Sequence, residues 1–400
     1  MSEGKGAGAG MRVLFVNRML CLERGGGETF DLEISRVLRD RFGVEVSYLS
    51  GAPLFGGAPK ALAGATCLHT PWLKRFPWDR VKGGWRVRQA EFEWFERRAA
   101  RWIAAREGRW NVIQICELPE LVVWLKEAGV KTPVVMRLTA PNYYDPRGGI
   151  QRADALVASG MSIETMRGRG LEVFDVPNAV DTERFRPASR EERAAARKEW
   201  GIGEDDFTVV YPARLQGFKD HETLLAAWAD VAAAVPGATL LLAGSGPLRP
   251  RLEERAVEAG LGGSVRFLGE VPNERLPGLL RAADAGVISS EYESFCFAAI
   301  EMMATGLPVA TTACGWVPKL VEDGAGLIVP VKGVSELAEA LEKLAGNEAL
   351  RARMGATARH LAETRHTWPA SAGRLLEVYR GVMAASGDRG SEGPTGRGGA

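Results

Sequence analysis

The stretch AGVISSEYESFCFAAIEMMATGLPVATTA, residues 285–313, reads as strand, turn, helix and strand in succession. AGVISS (285–290) is apolar without alternation, as expected of a strand covered on both faces of a parallel sheet. A helix is predicted from near Phe295 to Gly306, and PVATTA (308–313) gives the next strand. Two short strands joined by a helix are the repeating unit of a parallel α/β sheet. Glu301 sits among Ala, Ile and Met, where a carboxylate is costly unless something polar meets it. Glu293 falls in the turn, and the amides of Ser294, Phe295, Cys296 and Phe297 are predicted to form a helix N-terminus whose partial positive charge favours phosphate. Glu301 shares a helix side with Phe297, and two partners suit it: an internal Arg or Lys, or the two O–H donors of a sugar diol.

The same alternation runs outward in both directions. The first half offers RVLFVN (12–17), VEVSYLS (44–50), NVIQIC (111–116), PVVMRL (133–138) and ADALVAS (153–159). The second offers FTVVYPA (207–213), ATLLLAG (238–244), VRFLG (265–269), AGVISS, PVATTA and GLIVPV (326–331). Helical patterns lie between them, for instance 28–41, 221–235 and 248–260. A Pro-containing turn and a charged helix at 185–206 separate the two series and read as a linker. The expected architecture is two Rossmann-like α/β domains, 11–184 and 207–365, facing a central cleft, with ligands at the carboxyl ends of the strands. Residues 1–10 and 385–400 are Gly-, Ser- and charge-rich and read as disordered tails.

Composition narrows the function. With 46% hydrophobic and 25% charged residues and a net charge of +1, no global field recruits nucleic acid or acidic substrates. The five cysteines are scattered without a CxxC pair, which argues against a disulfide framework or zinc site and fits a reducing compartment. The opening MSEGKGAGAG lacks the apolar core of a signal peptide, and no run of eighteen apolar residues occurs; the expected location is cytoplasmic. There is no G-x-S-x-G, P-loop or D-x-D pattern, and the four histidines lack metal spacing. No metal or cofactor is expected.

Several local features carry chemistry. Arg214 and Lys219 follow a strand, where a guanidinium and an ammonium suit a diphosphate; the plain alternative is surface charge on a loop. LAGSGPLR (242–249) and the run Gly25, Gly26, Gly27 are glycine turns between strand and helix that allow close backbone approach, or are simply flexible loops. Residues 71–110 hold eleven Lys/Arg, five Asp/Glu and nine Trp/Phe. Phe92, Phe95, Ala99, Trp102 and Ile103 share one helical face, while Trp94, Arg98 and Arg101 fall on another. Such a helix either packs on the sheet or makes peripheral contact with a membrane, here at the inner face.

Together, E-S-F-C-F-A-A-I-E (293–301), VPNAVDTERFRP (176–187), ARLQGFK (213–219), GSGP (244–247) and MMATGLPVATTACGWVPKLVEDGAGLIVPV (302–331) resemble the retaining glycosyltransferases of family 4, a glycogen synthase and mannosyltransferase-like group with the two-domain GT-B fold. HTWPASAGRLLEVYRGVM (366–383) resembles the family's last helix, so 366–384 is expected to cross back to the first domain. The resemblance implies transfer of a sugar from a nucleoside-diphosphate sugar to a hydroxyl of a glycan, lipid-linked or small-molecule acceptor, in cell-envelope or exopolysaccharide synthesis. It implies that Arg214 and Lys219 neutralise the diphosphate, that Glu293 orients the sugar, and that Ser294, Phe295, Cys296 and Phe297 touch sugar and phosphate. It gives Glu301 the ribose hydroxyls, and Gly26 and Gly27 a place near the phosphates.

Two departures stand out. Ser294 and Cys296 replace the glycines of the common E-G-F-G form, narrowing the expected sugar pocket. Many relatives carry a histidine after the strand matching PVVMRLTAP (133–141); here Arg137 is the candidate on the acceptor or sugar side. Alternatives on the same architecture are a sugar-nucleotide epimerase and a non-catalytic sugar-nucleotide-binding protein.

Overall fold

The computed structural model describes residues 6–22, 25–53, 62–70, 84–140 and 142–391. The chain divides into two compact units, residues 1–177 with 368–400, and residues 178–367.

In the first unit seven parallel strands form one sheet: β1 (Arg12–Val16), β2 (Glu45–Pro53), β3 (Ala65–Thr70), β4 (Val112–Cys116), β5 (Val134–Leu138), β6 (Ala155–Ala158) and β7 (Phe174–Asp175), in the order β3-β2-β1-β4-β5-β6-β7. β1, β4 and β5 are buried almost throughout, which is why they read as continuous apolar runs. β3 and β7 carry exposed residues at the sheet edges and gave no such signal.

The second unit holds six parallel strands: β8 (Thr208–Pro212), β9 (Thr239–Ala243), β10 (Val265–Gly269), β11 (Ala285–Ile288), β12 (Val309–Thr312) and β13 (Gly326–Val329), in the order β10-β9-β8-β11-β12-β13. In each sheet the chain reverses its direction of advance beside the first strand, between β1 and β4 and between β8 and β11. Loops leaving the carboxyl ends there diverge and leave a crevice, the usual ligand position in an open α/β sheet.

Three expectations are corrected. Residues 185–206 are part of the second unit rather than a linker. Ser189 caps the helix Arg190–Glu199, and two of its arginines point inward. Arg193 and Arg197 meet Asp284 at 2.7 and 3.3 Å, and Arg197 also donates to the carbonyls of Gly203 and Ala282. A charge pattern that looks solvated is thereby tied to β11. Residues 6–10, read as part of a tail, form turns in which the Gly8 amide donates to the Phe42 carbonyl at 2.8 Å. The last helix, Trp368–Ser391, belongs to the first unit and continues past residue 385.

The basic aromatic segment also resolves. Residues 71–83 lie outside the described residues. In the helix Gly84–Ala104, Phe95, Ala99 and Ile103 are buried in the first unit's core, with Phe92 and Trp102 packed against it. Its apolar face is therefore covered by its own domain and not available to a bilayer. Among the described residues, no helix is long and apolar enough to cross a membrane.

Candidate functional site

The switch point of the second sheet gathers the charged candidates. The loop after β8 carries Arg214 and Lys219, and the loop after β11 carries Glu293. Lys219 Nζ meets Glu293 Oε1 at 2.5 Å, with the Glu293 residue only 7% exposed. The same oxygen accepts from Ser290 Oγ at 2.8 Å. Tyr211, buried in β8, sets its hydroxyl between Ser290 Oγ (2.8 Å) and the Lys219 carbonyl (3.1 Å), and Ser289 Oγ donates to that carbonyl at 2.9 Å. The cation is thus fixed through its backbone and its ammonium together, while Arg214 stands exposed.

Glycine shapes this loop from the side. A Cβ on Gly244 would lie 2.0 Å from the Ala213 carbonyl oxygen, and one on Gly246 2.3 Å from that of Leu215. The GSGP turn must therefore be nearly bare of side chains to press against the segment bearing Arg214. Gly315 does the same behind Glu293: its φ is +53°, and a Cβ would fall 1.7 Å from the Glu293 carbonyl oxygen. Gly315→Ala is expected to displace the Glu293 backbone and to lower kcat/KM for a nucleotide sugar by at least about tenfold, read by steady-state kinetics; wild-type kinetics would show that Glu293 tolerates displacement.

The helix begins at Phe297, two residues later than expected, and runs to Ala304. Cys296 is its N-cap, at φ +78° and ψ +89°. A side chain in that conformation is strained by about 1–3 kcal/mol, a physical reason for glycine to be favoured at this position. Phe295 is buried, with its ring 5.7 Å from that of His366 and 6.0 Å from that of Phe297, so the turn is braced by aromatic packing. Burial, reinforced by Glu293, pushes the Cys296 thiol up, leaving it un-ionised at neutral pH.

Glu301 is half-buried in the middle of this helix. Its carboxylate makes no ion pair and takes no hydrogen bond from any described residue, so the internal Arg or Lys partner does not materialise. Burial pushes its pKa up to about 7, against a smaller downward pull from Arg184.

In the first unit, Gly25 is the N-cap of the helix Gly26–Phe42, and its amide donates to Glu28 Oε2 at 2.9 Å. Gly26 and Gly27 therefore form a helix N-terminus after β1, at that sheet's own switch point. Arg137 is near them but 4% exposed. Its guanidinium lies 3.7 Å over the Phe30 ring, 3.8 Å from Asp31 Oδ1 and 3.4 Å from the Gly27 carbonyl. Arg137 thus packs against the glycine turn through Gly27, Phe30 and Asp31. His221, buried and stacked 4.9 Å from Tyr211, has its pKa lowered to about 4 by burial and by Lys219, and packs as a neutral ring.

The sequence reading missed Tyr211, Ser289, Ser290 and Gly315. Ser289 and Ser290 end the AGVISS run, and two serines closing an apolar strand were the available signal.

A family model described as glycosyl transferases group 1 matches residues 192–361, which contain Arg214, Lys219, Glu293 and Glu301. Residues 192–361 are thus similar to the group 1 glycosyl transferases. The D-inositol 3-phosphate glycosyltransferase of Saccharomonospora viridis is 36% identical over 223 residues, 53% of this chain and 51% of that relative. The chain thus matches about half the length of that relative. Sucrose-phosphate synthase from Thermosynechococcus elongatus superposes with a TM-score of 0.75 at 21% identity, covering 94% of this chain and 100% of that one. Alr3699/HepE from Anabaena, solved in complex with UDP and glucose, superposes with a TM-score of 0.72 at 19% identity, covering 93% and 100%. The fold of the chain is accordingly the GT-B fold of these structures.

Proposed function

We propose that the protein is a retaining, metal-independent glycosyltransferase that moves a sugar from a nucleoside-diphosphate sugar to a hydroxyl acceptor in glycan synthesis on the cytoplasmic side. The observation that carries this reading is Glu301: a carboxylate set in a mostly buried helix with no hydrogen-bond donor from any described residue. A ribose diol supplies two O–H donors of the right kind. The group 1 match and the UDP-and-glucose complex of the Anabaena neighbour support a nucleotide sugar as the ligand.

In this reading the diphosphate lies at the carboxyl ends of β8 and β11. Charge developing on the departing phosphate oxygen is met by Lys219, by the exposed guanidinium of Arg214 and by the first amides of the helix Phe297–Ala304. Glu293, held by Lys219 and Ser290, accepts from sugar hydroxyls and fixes the ring. Its ion pair and buried hydrogen bond suit it to orientation more than to nucleophilic attack. Departure and attack then occur on one face, which conserves the anomeric configuration.

Slow donor hydrolysis tests this without a known acceptor. With an α-linked donor and excess EDTA, NMR is expected to show the α anomer of the free sugar first, at the rate seen without chelator. The β anomer first, or loss of the reaction in EDTA, would overturn the mechanism. An epimerised donor with no free sugar would favour the epimerase.

A further inference from the structure

A second cavity, of about 300 Å³, lies wholly within the first unit, at the carboxyl ends of β4 and β5. Three carboxylates line it. Glu117 follows β4, Glu120 stands in the first turn of the helix Pro119–Glu127, and Glu96 comes from the helix Gly84–Ala104. Phe92, Tyr143 and Tyr144 form aromatic parts of the wall. No Lys, Arg or His side chain lines it among the described residues.

Two of these acids are incompletely satisfied. Glu96 is 3% exposed and its Oε2 has no hydrogen-bond partner. Glu120 is 7% exposed and its Oε1 has none, although Oε2 accepts at 3.4 Å from Arg147, which is not among the lining residues. Glu117 by contrast accepts from the Tyr143 hydroxyl at 3.3 Å. Buried acceptors without donors are rare in folded proteins, and each invites a donor from outside. Arg18, whose charge reaches Glu96, is engaged with Glu91 at 3.1 Å and stacked on Phe92. Burial raises the pKa of all three carboxyls, Glu96 to about 8 with Glu120 adding to it, against smaller downward pulls from Arg18 on Glu96, Arg137 on Glu117 and Arg147 on Glu120.

The chemistry that completes such a site is narrow. A phosphate or carboxylate would meet acidic groups and, among the described residues, no cation in the lining. A neutral polyol donates hydrogen bonds but brings no charge to hold the acids in their ionised form. A protonated amine brings three N–H donors and a positive charge, and aromatic faces attract it further. The volume suits one sugar-sized ring.

We propose that this cavity binds an amine-bearing, hydroxylated small molecule, with its ammonium group between Glu96 and Glu120. On the glycosyltransferase reading this molecule is the acceptor or the part of it that fixes orientation; the binding itself rests on the first unit alone.

Calorimetric titration of the full chain at pH 7 with glucosamine, glucose and glucose 6-phosphate tests it. Glucosamine is expected to bind at least tenfold more tightly than glucose, and glucose 6-phosphate not at all. The double variant Glu96→Gln, Glu120→Gln should bind glucosamine no better than glucose, while it stays folded and keeps the wild-type response to UDP. Equal affinity for glucose, tighter binding of the phosphate, no binding of glucosamine, or unchanged glucosamine binding in a folded double variant would each overturn the inference. A UDP titration of the same preparation separates the two readings. A nucleotide response without amine binding removes this site and spares the transferase, and the reverse removes the transferase and spares the site.

Discussion

Glu301→Gln is expected to melt at a higher temperature than the wild-type protein and to bind a nucleoside diphosphate about ten to a hundred times more weakly. The two effects share one cause. Burial lifts the Glu301 carboxyl to about 7, above its ordinary value of 4.5, so the folded chain holds this proton more tightly than the unfolded one. The resulting penalty is absent below the unfolded value, grows as pH rises between the two values, and is complete above the folded one. Glutamine removes it, for a gain of about 1–2 kcal/mol at pH 8 after allowing for the partial exposure of the site. The gain should shrink as pH is lowered towards 5. The same change leaves one carbonyl acceptor where an ionised carboxylate offered two to a ribose diol, a loss of about 1.5–3 kcal/mol in binding. Melting curves at pH 5.5 and 8, with and without UDP, read both. A variant that is less stable at pH 8, or that keeps full nucleotide affinity, would show that Glu301 is a structural acid.

Lys219→Ala is expected to lower kcat/KM by about two to three orders of magnitude, the range seen when one preorganised stabiliser of developing charge is removed. It is also expected to destabilise the fold, because Glu293 is left nearly buried and opposite no cation; breaking such a pair costs about 3 kcal/mol when fully buried and less here, where the Lys219 side chain keeps 16% exposure. The double variant Lys219→Ala, Glu293→Gln separates the two losses. Its melting temperature should recover most of the deficit, since no uncompensated charge remains, while activity stays lost. Recovery of activity alongside stability would mean that Lys219 serves the fold alone.

The alternation of strands and helices was legible because strands buried on both faces advertise themselves as unbroken apolar runs, from RVLFV at β1 to VATT at β12. The edge strands of the first sheet do not: β3 alternates weakly and β7 is two exposed residues. The boundary at residues 185–206 was misjudged because Arg193 and Arg197 look like solvent-facing charge until Asp284 and the carbonyls that receive them are seen in space. Within the site, Lys219 and Glu293 stood out because ionised groups at strand ends are chemically conspicuous. Their partners did not. Tyr211 reads as an ordinary strand aromatic, and the need for Gly315 exists only once its loop lies against Glu293. Arg137, a charge conspicuous in sequence, packs over the Phe30 ring, a contact that sequence alone does not reveal.

The most direct test of the account is a thermal titration of the wild-type protein and Lys219→Ala with UDP, GDP and ADP. A ligand that binds only the native state must raise the melting midpoint by mass action, by an amount that grows with its concentration. The account predicts a rise with at least one of the three nucleotides in the wild-type protein and its loss in Lys219→Ala. No rise with any of them would contradict it.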